Sequence, residues 1–462
     1  MFLFPYEKIK AGARIAIYGY GMVGRELVSQ IYNNKYCEIL VVIDKDAEKI
    51  ADCPFPICRL EDSNLDSCEY VIISIVPENI DTINHIEEQL IKKGIEQKKL
   101  VRISSDDYGT KEPTYLLKGI DDEILHIGVF CEYGLGDAIL DLYFVGRIIE
   151  VLGDKCCISF ITKYAELFSN YPGIDVVREI NDEDKFDIIF RNIHVALVRA
   201  WCPEKVYKMS KLVYDFCIKS FEFVEKIGGH IDPLHIIAYA RINDKKRYNI
   251  YDPYGVLGEH VSRVPLLPET DDEKHILKKY NLLDKEYICV NRDVDVLLGI
   301  NHPKLWPLEY YDKLISKIRI NYKNIKLVQI GARSEENIMK SVDINLAGKT
   351  TLTELKALMR GARFLISGEG GLVHVMHFVG GKSVVIYGPT DHSYFGYNED
   401  IVCKERDQVC RIPCNYIFND YTNGCMKGFN PPACMSNLSP DIVYEKINEA
   451  GWFNIKLHRP QY

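Results

Sequence analysis

Between Phe364 and Tyr397 the chain reads FLISGEGGLVHVMHFVGGKSVVIYGPTDHSYFGY, and this stretch limits the fold more than any other. An apolar run, a glycine-rich turn, a helical stretch and a second apolar run (Ser383 to Tyr387) follow one another. That order predicts buried parallel strands joined through a helix. The turn at Gly370-Gly371 lets backbone N–H groups approach a ligand closely. The helix after it presents the positive end of its dipole at the same place, which suits a diphosphate. Glu369 and His374 flank the turn and are placed to hold a ribose and a phosphate. The expectation is a nucleotide-sugar site.

With 462 residues the chain is too long for one ordinary core and predicts two or three domains. A net charge of −9 argues against nucleic acid as a partner, but not against a small anion met by a local basic cluster. The N-terminal residues lack the pattern of a signal peptide, and no apolar run approaches the roughly 20 residues of a membrane span. A cytoplasmic protein without a transmembrane segment is expected, with peripheral membrane contact left open. Fifteen cysteines in that setting read as thiols or metal ligands.

Alternating strand and helix patterns divide the chain in three. Strands at Arg14 to Tyr18, Glu38 to Ile43 and Tyr70 to Val76, with helices at Val23 to Tyr32 and Ile80 to Lys93, predict a Rossmann-like domain over 1–110. The polar segment Asp106 to Pro113 reads as a linker. A second α/β domain is expected over 111–280, with strands at Ile124 to Phe130, Cys157 to Thr162, Phe186 to Phe190 and Val195 to Val198. A third, over 281–462, begins at the strand Tyr287 to Val290 and ends in a helix at Ser439 to Ala450. The fold class is therefore α/β, with doubly wound sheets and a cleft between the second and third domains.

Four groups of residues carry the chemistry. Gly19, Gly21 and Gly24 lie between a strand and a helix, with Asp44 ending the next strand, 25 positions after Gly19. That is the dinucleotide-binding pattern, with Asp44 on a ribose hydroxyl and NAD or another nucleotide as ligand. The same glycines would equally serve a tight turn in an accessory domain, and no catalytic constellation follows them. Gly134-Leu135-Gly136-Asp137 opens a helix at the crevice end of a strand, where Asp137 is placed either to cap the helix or to take a proton from a sugar hydroxyl. Lys304 in His302-Pro303-Lys304-Leu305-Trp306-Pro307 is the natural counter-charge for a leaving diphosphate, or else a solvated lysine; Arg333 is a second candidate. Glu354 and Arg360 read as a solvated helix face, and Arg241 and Arg247 as a solvated loop. The faces of Trp201, Tyr248, Tyr251 and Tyr254 would suit a sugar.

Taken in order, GLGD at 134–137, KLWP at 304–307, LAGKTTLTEL at 346–355, GEGGLVH at 368–374 and YGPT at 387–390 resemble the heptosyltransferase-like glycosyltransferases of family nine. The resemblance covers roughly residues 124 to 450 and omits the first domain. It implies a GT-B pair of domains, with acceptor on 111–280 and nucleotide sugar on 281–462. It further implies Asp137 as general base, Lys304 as phosphate ligand, and Glu369, Gly370, Gly371 and His374 as the donor site. Inversion at the anomeric carbon without a catalytic metal follows from the same likeness. The acceptor would be a surface glycan of lipopolysaccharide type, a lipid-linked glycan or a protein. Two departures stand out: Glu369 replaces the family's Asp, and Gly370 its hydroxyl residue. The donor thus need not be ADP-heptose.

Cys403, Cys410, Cys414, Cys425 and Cys434, separated by six, three, ten and eight residues, form a turn-rich segment. Four of the five would hold a structural zinc or iron, though paired C-x2-C spacing is missing. Two rival functions remain on sequence: an NAD-dependent oxidoreductase centred on the first domain, and a non-catalytic sugar-nucleotide sensor.

Overall fold

The computed structural model describes residues 2, 4–5, 8–10, 12–34, 36–103, 115–180, 183–192, 195–226, 254–257, 264–270, 272–292, 302–332, 338–405, 414, 424–425 and 427–454. The linker expected at Asp106 to Pro113 lies outside them. The chain forms two compact units, the first built on residues 1–112 and the second on most of the remaining chain.

In the first unit, β1 (Arg14–Tyr18), α1 (Met22–Asn34), β2 (Glu38–Ile43), β3 (Ile57–Cys58), β4 (Tyr70–Ile73), α2 (Ile80–Lys92) and β5 (Leu100–Arg102) follow in order. All strands are parallel, in the order β3-β2-β1-β4-β5. Val23, Leu27, Val28 and Ile31 of α1 recur at helical spacing and are all buried, which sets that helix on the sheet. Strand β4 stops short of the expected Val76. Ser74 turns its hydroxyl onto the carbonyls of Tyr18 and Gly19, 2.7 Å from each, and so ends the strand against the glycine turn.

The second unit carries two sheets. The first comprises β6 (Tyr115–Leu116), β7 (Leu125–Cys131), β8 (Cys156–Thr162), β9 (Asp175–Val177), β10 (Ile188–Asn192) and β11 (Ala196–Trp201), with α3 (Leu135–Leu152) between β7 and β8. Its order is β6-β11-β10-β7-β8-β9, and β11 runs antiparallel to β10. Helices α4 (Pro203–Met209), α5 (Lys211–Lys226) and α6 (Glu273–Lys279) lead on to the second sheet. That sheet contains β12 (Tyr287–Asn291), β13 (Lys326–Gln329), β14 (Ile344–Asn345), β15 (Leu365–Gly368), β16 (Ser383–Ile386) and β17 (Ile401–Cys403). Its helices are α7 (Leu308–Asn321), α8 (Leu352–Arg360), α9 (Gly371–Phe378), α10 (His392–Phe395), α11 (Ala433–Ser436) and α12 (Pro440–Glu449). The order is β14-β13-β12-β15-β16-β17, wholly parallel. Among the described residues no helix is long and apolar enough to cross a membrane.

Both sheets of the second unit reverse direction next to the residues of interest. Strand β7 has β8 on one side and β10 on the other, while β12 and β15 lie side by side with later strands added outward from each. Crevices at the carboxyl ends of such strands are where open α/β sheets bind ligands. Asn291, the last residue of β12, donates from Nδ2 to Ser367 Oγ of β15 at 3.0 Å and ties the two ends together. One apolar core runs through both sheets, carried by Leu142 and Val145 of α3 and by Val373 and Met376 of α9. Tyr143 and Phe378 meet edge to face, with ring centroids 5.5 Å apart.

Three expectations are corrected. Arg360 pairs with the buried Glu273 and donates to Leu267 O, and Glu354 closes a capping box with Thr351 while pairing with Lys279. Both residues thus fasten helices instead of facing solvent, because α6 packs beside α8. Trp201 is buried between Tyr214 and Phe221, so its face serves packing. Tyr254 donates its hydroxyl to Ala196 O; Tyr248, Tyr251, Arg241, Arg247 and Arg333 lie outside the described residues.

Asp400 supplies a pH test of this unit. Burial pushes its carboxyl up to about 7, with the bond from Ser383 N opposing and the charge of Glu399 assisting. Below pH 4 the folded and unfolded chains both hold the proton. Between pH 4 and 7 the unfolded chain releases it first, so stability falls as pH rises through that window. Asp400→Asn keeps an acceptor for Ser383 N and removes the ionisation. The variant should melt increasingly above wild type from pH 4 to 8, by at most about 4 kcal/mol. A gap independent of pH would contradict this.

Candidate active site

Two glycine turns of the second unit meet backbone to backbone. A Cβ placed on Gly371 would lie 3.1 Å from Gly136 N and 3.2 Å from Leu135 Cβ. A Cβ on Gly136 would lie 3.2 Å from Gly371 Cα and 2.7 Å from His374 Cδ2. The start of α3, after β7, therefore abuts the start of α9, after β15. Both helix N-termini carry unpaired N–H groups and partial positive charge at this place.

The charged group beside them is a buried ion pair. Lys304 Nζ lies 2.6 Å from Glu369 Oε2, with side chains only 18% and 6% exposed. Burial pushes the Glu369 carboxyl up, but Lys304, His374 and the Thr390 hydroxyl together hold it below the usual range. Backbone contacts set this cluster. His302 Nδ1 accepts from Lys304 N at 3.1 Å, Arg292 Nε donates to Trp306 O at 2.9 Å, and Trp306 Nε1 donates to Leu438 O. A Cβ on Gly388 would come 3.3 Å from Pro303 O, so the turn at 388–390 slides beneath the lysine. Residues 302–304, 368–371 and 388–390 thus converge. Glu369, expected on a ribose, pairs with Lys304 here.

Asp137 is the third residue of α3, where its Oδ2 accepts from Gly134 N at 3.0 Å. It is not the cap residue itself but reaches back to it, and the residue is half-buried. One turn further along, Asp141 is 1% exposed. Burial pushes its carboxyl well above the usual range, with Cys131 and Asn192 beside it opposing and Asp137 adding to the rise. Neither of its oxygens makes a hydrogen bond of normal geometry. The helix thus places the half-buried Asp137 one turn before a fully buried acid.

His374 is 4% exposed, and its Nδ1 lies 2.7 Å from the Tyr397 hydroxyl. The sequence singles out Asp137, Lys304, Glu369, Gly370, Gly371 and His374; in the structure Lys304 meets Glu369, Gly371 and His374 meet Gly136, and Asp137 follows Gly136 on α3. Sequence reasoning missed Tyr397, His377, Thr390 and Asp141. Thr390 was legible within YGPT. Tyr397 was hidden among thirty tyrosines.

In the first unit Gly19 has φ +100° and lies next to Gly24, where a Cβ would overlap Gly19 O, while a Cβ on Gly21 would meet nothing. Asp44 accepts from Tyr20 N at 2.7 Å and from Asp46 N at 2.9 Å, so its carboxylate already braces the turn. Of the five cysteines, Cys410 lies outside the described residues and Cys403 is buried in the apolar core, where burial pushes its thiol up to about 12. Among the described residues no group of three or more His, Cys, Asp or Glu is placed to hold a metal. A cavity of about 620 Å³ lined by Lys118, Lys155, Cys202 and Lys205 lies at the opposite end of β7 from the glycine turns. Lys205 there is committed to Asp122 and Asp187.

The meeting of the two turns makes a sharp contrast between neighbouring glycines. Gly136→Ala must displace backbone at Gly371 or the buried His374 ring, an overpacking of about 1–3 kcal/mol. A Cβ on Gly370 meets nothing within 4 Å, so Gly370→Ala should change stability by less than about 0.5 kcal/mol. Denaturant unfolding of both variants checks this, and equal effects would contradict the close approach.

Residues 267–416 match the family model "Glycosyltransferase family 9 (heptosyltransferase)". The chain is 27% identical over 131 residues to lipopolysaccharide heptosyltransferase 1 of Escherichia coli O18:K1:H7, covering 27% of this chain and 38% of that protein. It is 22% identical over 157 residues to lipooligosaccharide heptosyltransferase 2 of Haemophilus influenzae, covering 32% and 43%. The matches thus span less than half the length of these curated relatives. A solved family 9 glycosyltransferase from Veillonella parvula superposes with TM-score 0.46 at 16% identity, over 73% of this chain and 99% of that one. Through residues 267–416, which hold Lys304, Glu369 and the Gly370-Gly371 turn, the chain carries a heptosyltransferase-like domain of glycosyltransferase family 9.

Proposed function

We propose that the chain is an inverting glycosyltransferase that moves a sugar from a nucleotide-diphosphate donor to a hydroxyl of a glycan, lipid-linked or protein acceptor. What supports this reading is the approach of Gly136 to Gly371, with Asp137 next to the first glycine and Glu369, the partner of Lys304, two residues before the second. The donor's diphosphate lies at the start of α9, where Lys304 turns from Glu369 to share its charge with the phosphate. Asp137 takes the proton of the acceptor hydroxyl as that oxygen attacks the anomeric carbon. The bond from that carbon to the diphosphate oxygen breaks on the opposite face, and its electron pair stays on the diphosphate. Lys304, His374 and the helix dipole favour this charge as it grows. Donors of the ADP-heptose type are the first to try. The open space at Gly370 leaves room for a donor that a hydroxyl side chain would crowd.

On this reading 111–280 serves the acceptor and 281–462 the donor. We read the first unit as an accessory domain of nucleotide-binding type, with Gly19, Gly21 and Gly24 forming its turn. We read the cysteine segment as holding a structural zinc or iron, although Cys403 is buried in the apolar core and Cys414, Cys425 and Cys434 form no such group among the described residues.

Asp137→Asn should lower turnover about 10²- to 10⁴-fold while leaving nucleoside-diphosphate affinity within a few-fold, measured by diphosphate release and by titration. Unchanged turnover would remove Asp137 as base, and a wild-type chain that binds the donor without turnover would favour a sensor. Elemental analysis of the purified full chain should find near-stoichiometric zinc or iron; protein free of both metals would end the metal assignment.

A further inference from the structure

Helix α9 carries His374 and His377 one turn apart, hence on one face. Tyr397 stands between them. It meets His374 edge-on, with ring centroids 5.5 Å apart at 78°, and its hydroxyl is 2.7 Å from His374 Nδ1. Against His377 it stacks face to face, 3.6 Å apart at 8°. His377 Nδ1 in turn lies 2.6 Å from Glu399 Oε1, which fixes the plane of that ring. The loop after α10 therefore grips the helix through one tyrosine.

The Tyr397 side chain is buried, and a buried phenolic hydrogen has to be spent on an acceptor. An imidazole nitrogen is the more basic partner of the pair, so O–H···N is the stronger arrangement. A neutral imidazole that accepts at Nδ1 carries its hydrogen on Nε2. The Cδ2–Nε2 edge of His374 faces Gly136: a Cβ there would be 2.7 Å from Cδ2 and 3.5 Å from Nε2. That edge therefore looks toward the point where the two glycine turns meet.

We propose that Tyr397 is a positioning residue, which through its hydroxyl fixes His374 as an Nε2–H donor and through its stack on His377 holds that ring in place. The consequence for ligands rests on reading the Gly370-Gly371 turn as a diphosphate site. There, an Nε2–H donates to a phosphate oxygen, whereas the other tautomer presents a lone pair to an anion. Tyr397→Phe keeps the stack and the core packing and removes only the hydroxyl. Releasing the tautomer to equal populations costs twofold in affinity, and a ring no longer held in place costs more, so ADP should bind about 2- to 10-fold more weakly.

The test is long-range ¹H–¹⁵N spectroscopy of histidine-labelled full chain, with His374 assigned from the spectrum of His374→Gln. Wild type should show an unprotonated Nδ1 and a protonated Nε2. Tyr397→Phe should show averaged or exchanged nitrogens with a modest loss of melting temperature from the missing hydrogen bond, while Tyr397→Leu, which also loses the stack, melts lower still. A hydrogen on Nδ1 in wild type, or the same spectrum in Tyr397→Phe, overturns the proposal. ADP titration of the same samples separates the two readings. If ADP binds neither protein, the diphosphate reading falls and the ring-nitrogen spectra alone decide the role of Tyr397.

Discussion

Gly136 and Gly371 approach so closely that neither can carry a side chain without moving the other's backbone or the His374 ring. Each lies in the first turn of a helix that follows a buried strand, and each strand lies at the reversal point of its own sheet. Side chains at this point would hold the two helix starts apart. Without them, the positive ends of two helix dipoles come together, and on the proposed reading Asp137 of one helix serves an acceptor beside an anion held by the other. The rest of the site is arranged around that approach.

The Lys304–Glu369 pair is the second constraint. A lysine taken out of water needs a compensating charge, and a buried carboxylate needs one as much. Each meets the need of the other, so the site is electrically balanced before a ligand arrives. On the proposed reading, a diphosphate entering it would add negative charge next to a lysine already half committed. This favours a transition state in which charge on the leaving oxygen increases over a ground state in which it is spread out. The Thr390 hydroxyl bonds the same carboxylate and extends the cluster.

Most of the fold was legible because strands buried on both faces are written as continuous apolar runs. Tyr287–Asn291 and Ser383–Ile386 stand out in this way. What escaped was direction and context. The run at 196–201 looks like any other buried strand, yet β11 runs antiparallel, since residues 193–195 are too few for a crossover. Arg360 and Glu354 have the composition of a solvated helix face and were placed there by pattern alone. Their partners Glu273 and Lys279 lie about 80 residues away and only tertiary packing brings them near. In the site, ordered glycine motifs announced the backbone, while the pairing of Lys304 with Glu369 and the insertion of Tyr397 between two histidines depend on contacts with no local signature.

Sugar transfer at this site requires that the crevice of the second unit bind a nucleoside diphosphate through Lys304. Calorimetric titration of the full chain with ADP, UDP, GDP, CDP and NAD, repeated on Lys304→Ala, measures this directly. One diphosphate should bind wild type and lose tenfold or more in the variant, a difference of about 1.4 kcal/mol or greater. Binding that ignores the substitution, or affinity for NAD alone, would contradict the assignment and move the ligand to the first unit.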